Sequence, residues 1–406
     1  MKRIFTIAIL CTITFSFNKL FAQTPTVYIN LVSHNEDSYV YYINNPNAYH
    51  ATRAEMISMA TLCQSKGAFW HLGTDWCLPI ATMRHDTGTV IQTTNNKNIL
   101  RYLSEDLGVA IDPHSHESSY NYTDITHLLD SLGVNYTSTM SGFLVNQDQN
   151  GHYWEDYQNP VAGDSFPQTM WQPATLWGAG TPGHTNDPTS MGIWRPTDSS
   201  GIGFITHAPS NHLINYGQGC KMKYTNGSDV HAVLEPLRDL ISALQQGLLD
   251  TNKIYCTSIF FTEAQLTQPF FINKSNELID SVNAYVANGS VTWMRIDSVA
   301  DLWKNNHGNI GSVSSCQDWA ATSRVEGNPN SNLKFYPNPA NGKVIVELPF
   351  ENHPTYQLNA IDMTGGSAQL KYQAISNRKI QTDVGHLPQG IYLLEINQVR
   401  TKIVVE

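Results

Sequence analysis

Residues 111–118 read IDPHSHES, with imidazoles at His114 and His116 and carboxylates at Asp112 and Glu117 on either side. Two histidines two positions apart in extended chain leave the same face about 7 Å apart along the backbone, near enough to converge on one ion. A third ligand then has to come from another strand. The run SHNEDS at 33–38 supplies Asp37, and three protein ligands plus a water is the arrangement of a catalytic zinc. Mixed imidazole and carboxylate ligation suits zinc, cobalt or nickel. His34 is the alternative to His116 in that set. An ion held this way polarises an acyl oxygen and lowers the pKa of its water, while a carboxylate within hydrogen-bond reach removes the proton. The leaving group needs an acid, and FITHAPSNH offers His207 and, further along, His212. FWHLGTDWCLP adds His71 and Asp75, either as substrate or metal-shell contacts or as structural polar groups.

These groups act together only if strands carry them to one rim. TVYINLVS, AFWHLG, VAID, VNYTSTM, GIGFITHA, KIYCTSIFF and SVTWMRI read as strands, and helical patterns separate most of them. In the helix expected from Asp229, Val233, Leu237, Leu240, Ile241, Leu244 and Leu248 recur at spacings of three and four, which makes one buried face. Gly67, Gly108, Gly133 and Gly289 follow helical segments as stop signals. About seven strands alternating with helices predict an α/β fold, a distorted seven-stranded (β/α) barrel with its site at the C-terminal ends of the strands. The irregular stretch 142–200 holds Trp154, Trp171, Trp177 and Trp194. Their flat faces either stack on sugar rings or form the loop's own core.

Composition limits the partners. The chain has 24 Lys and Arg against 34 Asp and Glu, a net charge of −10, and no basic run, so neither nucleic acid nor an anionic membrane surface is expected as a partner. MKRIFTIAILCTITFSFNKLFAQ has the layout of a signal peptide, assigned to residues 1–22. No later stretch approaches the roughly 20 apolar residues of a membrane span, which predicts a mature chain without a transmembrane segment. Removing Cys11 with the signal leaves five cysteines, so at least one thiol stays unpaired within the chain or pairs between chains. A catalytic domain is expected over 23–310, a small polar linker over 311–332, and a small all-β sandwich over 333–406.

Two resemblances follow from the motifs. YPNPANGKVIVEL, IDMTGG, LPQGIYLLEI and the terminal TKIVVE, in that order, resemble the C-terminal sorting domain of type IX secretion substrates. This implies the type IX machinery as a partner and a secreted or cell-surface location. NED after the first strand, the histidine pair after GVAID, and GIWRP further on resemble the polysaccharide deacetylases of the nodulation-protein homology type, within the wider glycoside hydrolase and deacetylase barrel superfamily. That resemblance implies Glu36 as general base, Asp37 and His114 as metal ligands with His116 beside them, and Arg195 orienting the base. It also implies a glycan substrate carrying acetyl groups. The chain departs from the family in having Glu-Asp-Ser for the usual DDG, one residue rather than three between the histidines, and SIFFTE in place of the late LxH strand. A glycosidase pairing Glu36 with Asp75 or Glu117, and a non-catalytic glycan-binding protein, are the rival expectations.

Overall fold

The structure is a computed structural model that describes residues 26–35, 39–116, 119–145, 151–180, 190–220, 222–307, 309–315, 334–336, 340–347, 358–362, 367–376, 378–396 and 399–405. The expected signal peptide and most of the expected linker lie outside them. No helix among the described residues is long and apolar enough to cross a membrane.

The first part of the chain alternates strands and helices. It runs β1 (Val27–Asn35), α1 (Tyr39–Asn44), α2 (Pro46–Lys66), β2 (Trp70–Thr74), α3 (Cys77–His85), α4 (Ile99–Glu105), β3 (Ala110–Pro113), α5 (Tyr122–Ser131) and β4 (Thr139–Leu144). An excursion with β5 (Val161–Ala162) and β6 (Met170–Trp171) leads to β7 (Thr175–Gly180), β8 (Ser190–Met191), β9 (Ile193–Trp194), α6 (Gly201–Phe204) and β10 (Ile214–Gly217). The remainder is α7 (Val230–Val233), α8 (Glu235–Gln245), β11 (Tyr255–Thr262), α9 (Phe271–Ala287), β12 (Val291–Trp293), α10 (Ile296–Asn306) and β13 (Ser314–Ser315).

Two sheets carry this part. In one, β11, β1, β2 and β3 lie side by side and parallel, with β12 sharing an edge of β1 with β2. In the other, β4, β7 and β10 are parallel and β9 runs against β10. A parallel bridge between His114 and Ser141 joins the two sheets. On the far side Gly192 closes the gap: its N–H donates to Cys256 O (2.8 Å) and its carbonyl accepts from Gly217 N (2.9 Å). β1 is buried over both faces, as a strand covered on both sides must be. Val27, Ile29 and Leu31 join Met56, Met59 and Cys63 of α2 in the main core. Asn30 and His34, one register out, point to the opposite face.

Local chemistry sets the helix ends. The Asn45 side chain accepts from Ala48 N (3.1 Å), Pro46 opens α2, and Gly67 ends it at φ 70, a position where any side chain adds strain. α5 has a capping box in which Asn121 and Asp124 satisfy each other's backbone N–H groups. The Asp124 carboxylate also accepts from the backbone of Asp164, Ser165 and Phe166, so one buried carboxylate pins the excursion to α5. The helix expected from Asp229 is broken at Leu234, and Pro236 sits at the start of α8, where its missing N–H costs nothing. The expected strand GIGFITHA is instead the single turn α6, capped by the Ser200 side chain on Gly203 N.

The C-terminal part is antiparallel. It contains β14 (Lys334–Tyr336), β15 (Lys343–Glu347), β16 (Leu358–Asp362), β17 (Ser367–Leu370), β18 (Tyr372–Ser376), β19 (Lys379–Asp383), β20 (Gly390–Ile396) and β21 (Val399–Val405). They form two four-stranded sheets, β14-β15-β19-β18 and β17-β16-β20-β21, over a core that includes Val344, Val346, Ile380, Leu394, Ile396 and Ile403. Cys220 is disulfide-bonded, while Cys63, Cys77 and Cys256 are buried free thiols.

That C-terminal core draws all its members from residues 340–405. A chain ending at residue 332 is therefore expected to keep the thermal unfolding transition of the α/β part and to lose export. Loss of the transition, followed by circular dichroism, would place the boundary elsewhere.

Candidate active site

His34 ends the inward face of β1, and His114 follows β3 directly. Both are buried, and their rings stack with centroids 4.0 Å apart. Ser141, on β4, serves both rings. Its Oγ shares a 3.0 Å hydrogen bond with His34 Nε2, and its carbonyl accepts from His114 Nδ1 at 2.7 Å. A carbonyl can only accept, so Nδ1 of His114 carries a proton, and in the neutral ring the lone pair is then on Nε2. The His116 ring meets that of His114 edge-on at 4.5 Å. Trp177 and Phe260 close the other side of His34 at 5.2 and 5.1 Å.

Glycines make room for the stack. A Cβ on Gly142 would lie 2.3 Å from His114 Cε1 and 2.4 Å from His34 Cε1, and a Cβ on Gly73 would lie 2.8 Å from both His34 Cδ2 and Ser141 Oγ. Gly142 also has φ 68. Below the rings the interior is polar and paired. Trp177 Nε1 donates to Ser258 Oγ (2.9 Å), Ser258 Oγ donates to Asn30 Oδ1 (2.7 Å), and Asn30 Nδ2 donates to Tyr216 OH (3.0 Å). This chain fixes the indole against which His34 rests.

The structure brings some expected residues together and separates others. His114 and His116 are adjacent, and His34, weighed only as an alternative to His116, is in contact with His114. Glu36, Asp37 and Glu117 lie outside the described residues, and among the described residues no three His, Cys, Asp or Glu side chains are grouped to hold a metal ion. Ser141, Gly73, Gly142 and Phe260 were not singled out by type or spacing.

Arg195 and His207 lie elsewhere. Trp194 pairs with Asn215 in β10, and Ile214 starts that strand, so Arg195 sits at the N-terminal end of the parallel strands, opposite the histidine stack. Its guanidinium donates to Asn309 Oδ1 (3.2 Å) and to the carbonyls of Asn211 (2.7 Å) and His212, and lies over the Trp303 ring at 5.6 Å. His207 accepts from Arg195 N (3.1 Å) and donates to Asn309 O (2.9 Å). Both of its nitrogens are engaged. The two residues form a clasp across the chain at that end.

His212 is tied to Pro173 O (3.1 Å), and Pro173 precedes β7. His71 accepts from Ile296 N (3.0 Å), so its proton is on Nδ1, donated to Asp112 (2.9 Å), which also accepts from Thr137. Asp75 accepts from Cys77 N (2.9 Å), at the start of α3. The structural reading fits both. Trp154, Trp171, Trp177 and Trp194 are all buried, so none offers a face to a sugar at the surface.

Residues 334–406 match the family model described as secretion system C-terminal sorting domain. The protein is exported. Type IX secretion takes it to the cell surface or the extracellular space. No curated protein matches the chain. Among solved structures, a probable polysaccharide deacetylase from Pseudomonas aeruginosa PAO1 matches at 11% identity and a TM-score of 0.40, covering 69% of this chain and 92% of that one. A structure described as Puue allantoinase matches at 10% identity and the same TM-score, covering 69% and 91%.

Two expectations test this geometry. Gly142→Ala should cost roughly 2 kcal/mol or more in stability, because the new Cβ overlaps two rings at a strained φ. Ser141→Ala, which removes only the His34 contact, should cost about 1 kcal/mol. Equal values by denaturant titration would mean that the rings move aside freely.

The second concerns the clasp. Burial holds the His207 imidazole below its ordinary value, and nearby Arg195 pulls in the same direction against the hydrogen bond to Asn309. With the folded value depressed, this contribution to stability is complete above the unfolded value of about 6.5 and is lost as pH falls through the folded one. His207→Gln should flatten the fall in melting temperature below that pH. An unchanged profile would show that the histidine does not titrate against folding.

Proposed function

We propose that residues 23–310 form a hydrolase that removes acetyl groups from an extracellular glycan, using a divalent ion, zinc in the first instance, held by Asp37, His114 and His116. On this reading the two parallel sheets are the wall of one distorted seven-stranded (β/α) barrel, with its mouth at the histidine stack. The observation that carries the proposal is the Ser141 carbonyl on His114 Nδ1, since an acceptor on that nitrogen sets the tautomer in which Nε2 of the neutral ring can ligate. His116 lies against the same ring. A bound ion would supply Lewis acidity toward the acyl oxygen.

This chain's own residues would do the rest. Glu36, next after the last residue of β1, takes the proton of the attacking water. With His207 at the opposite end, His34 becomes the imidazole placed to protonate the leaving group, its ring held by Ser141 Oγ and by the edge of Trp177. Gly73 and Gly142 keep side chains out of the reacting space, and the apolar rings of Trp177 and Phe260 keep water off one face of His34. The glycosidase alternative would pair Glu36 with Asp75, whose Oδ1 accepts from Cys77 N, or with Glu117. The non-catalytic glycan-binding alternative is favoured by one observation, the placement of Arg195 and His207 away from the stack.

Metal analysis of the purified mature chain, together with acetate release from acetylated xylan, tests the proposal. His114→Gln and Asp37→Asn should lose ion and acetate release together. Glu36→Gln should keep the ion and lose about 100-fold or more in rate. Full metal content and unchanged acetate release in His114→Gln would end the proposal. Retention on the glycan with no acetate released by the wild type would favour the binding protein.

A further inference from the structure

We propose a second carbohydrate contact, a subsite for a neutral glycan chain, formed by Phe270 and the cleft beside it; this rests on the glycan reading above. β11 ends at Thr262, a short turn covers Glu263–Gln265, and the chain then reaches α9 through LTQPF. Phe270 in that loop has φ 66 and ψ 1. Left-handed backbone is uncommon for any residue with a side chain and an outlier for a bulky one. Asparagine tolerates it, and three of the five such non-glycine residues among those described are asparagines.

Phe270 is also 76% exposed, whereas the next residue, Phe271, is fully buried against Tyr224 and Phe261. Phe271 anchors the helix start, and Phe270 is turned outward by it. Single exposed apolar residues are ordinary. A phenyl ring that is exposed and also strains its own backbone contributes nothing to the fold that Gly or Asn would not supply more easily. Strain of this kind is a pointer to function.

The surroundings suit a sugar. A cleft of about 260 Å³ adjoins the ring, lined by Glu55 of α2 and by Thr267, Gln268 and Asn273 among others. An aromatic face accepts the C–H face of a pyranose, and carboxylate and amide groups at its edge accept from and donate to ring hydroxyls. Glu55 in the cleft and the net charge of −10 disfavour an anionic polymer, and the Thr267, Gln268 and Asn273 side chains of the lining match the hydroxyls of a neutral one. The four tryptophans expected for this role are in the core, and Phe270 is more exposed than Tyr153, Tyr336 or Phe69, on a loop that follows the C-terminal end of β11.

Phe270→Gly separates the alternatives because glycine is at ease at positive φ. The variant should melt at the same temperature or higher, and its retention on insoluble xylan, cellulose or chitin should fall at least tenfold on the polymer that holds the wild type. Phe270→Tyr should keep retention, and Glu55→Gln should reduce it. Unchanged retention of Phe270→Gly, or a wild type held by none of the three polymers, overturns the subsite. Acetate release from a soluble acetylated oligosaccharide is followed in parallel. Its absence alongside Phe270-dependent retention removes the reaction and leaves the subsite standing, while its presence with Phe270-independent retention does the reverse.

Discussion

Two imidazole rings stacked 4.0 Å apart inside a sheet wall require neighbouring backbone that carries no side chains. That steric requirement organises the rest of the site. It explains Gly73 on β2 and Gly142 on β4, whose Cβ atoms would overlap the rings. It also explains why a serine lies between them, since Ser141 can hold one ring by its hydroxyl and the other by its carbonyl. The stack is further tied to the interior, because the indole beside His34 is fixed through Ser258 and Asn30 to Tyr216. Contributions from β1, β3, β4, β7, β10 and β11 therefore meet at one pair of rings.

The sequence was most legible where periodicity is strong. β1, β2, β3, β11 and β12, with the helices that follow the first two of these and β11, fall close to where alternating and three-four patterns place them. The errors share a cause. β7 and β10, TLWGAG and INYG, lack sustained alternation, and they are held by neighbours on both sides rather than by their own pattern. GIGFITHA has the alternation of a strand, yet Ser200 caps it into a helical turn. That misreading is what moved His207 to the wrong end, because a histidine at the end of an apparent strand looks like a rim residue.

Individual residues were legible according to how much chemistry their type carries. His114 and His116 stand out in any sequence, and they are adjacent here. Ser141 acts through its carbonyl and a hydroxyl, features that give no signal without the fold. Arg195 stood out for its motif, but the antiparallel return through β9 carries it to the opposite end of the sheet, where its donors satisfy backbone carbonyls. The tryptophans were ambiguous from the start, and burial decides for the core.

The buried thiols have a consequence for the order of events after export. Burial pushes the Cys63 thiol up to about 12 and raises Cys256 as well, so in the folded chain almost no reactive thiolate exists at either position. Before folding they are ordinary thiols, in the same oxidising surroundings that form the bond at Cys220. Collapse of a domain this size takes a small fraction of the time in which disulfides form and reshuffle. Correct pairing is thus a race decided by speed: α2 must dock on β1, and β11 must enter the sheet, before oxidation reaches their sulfurs.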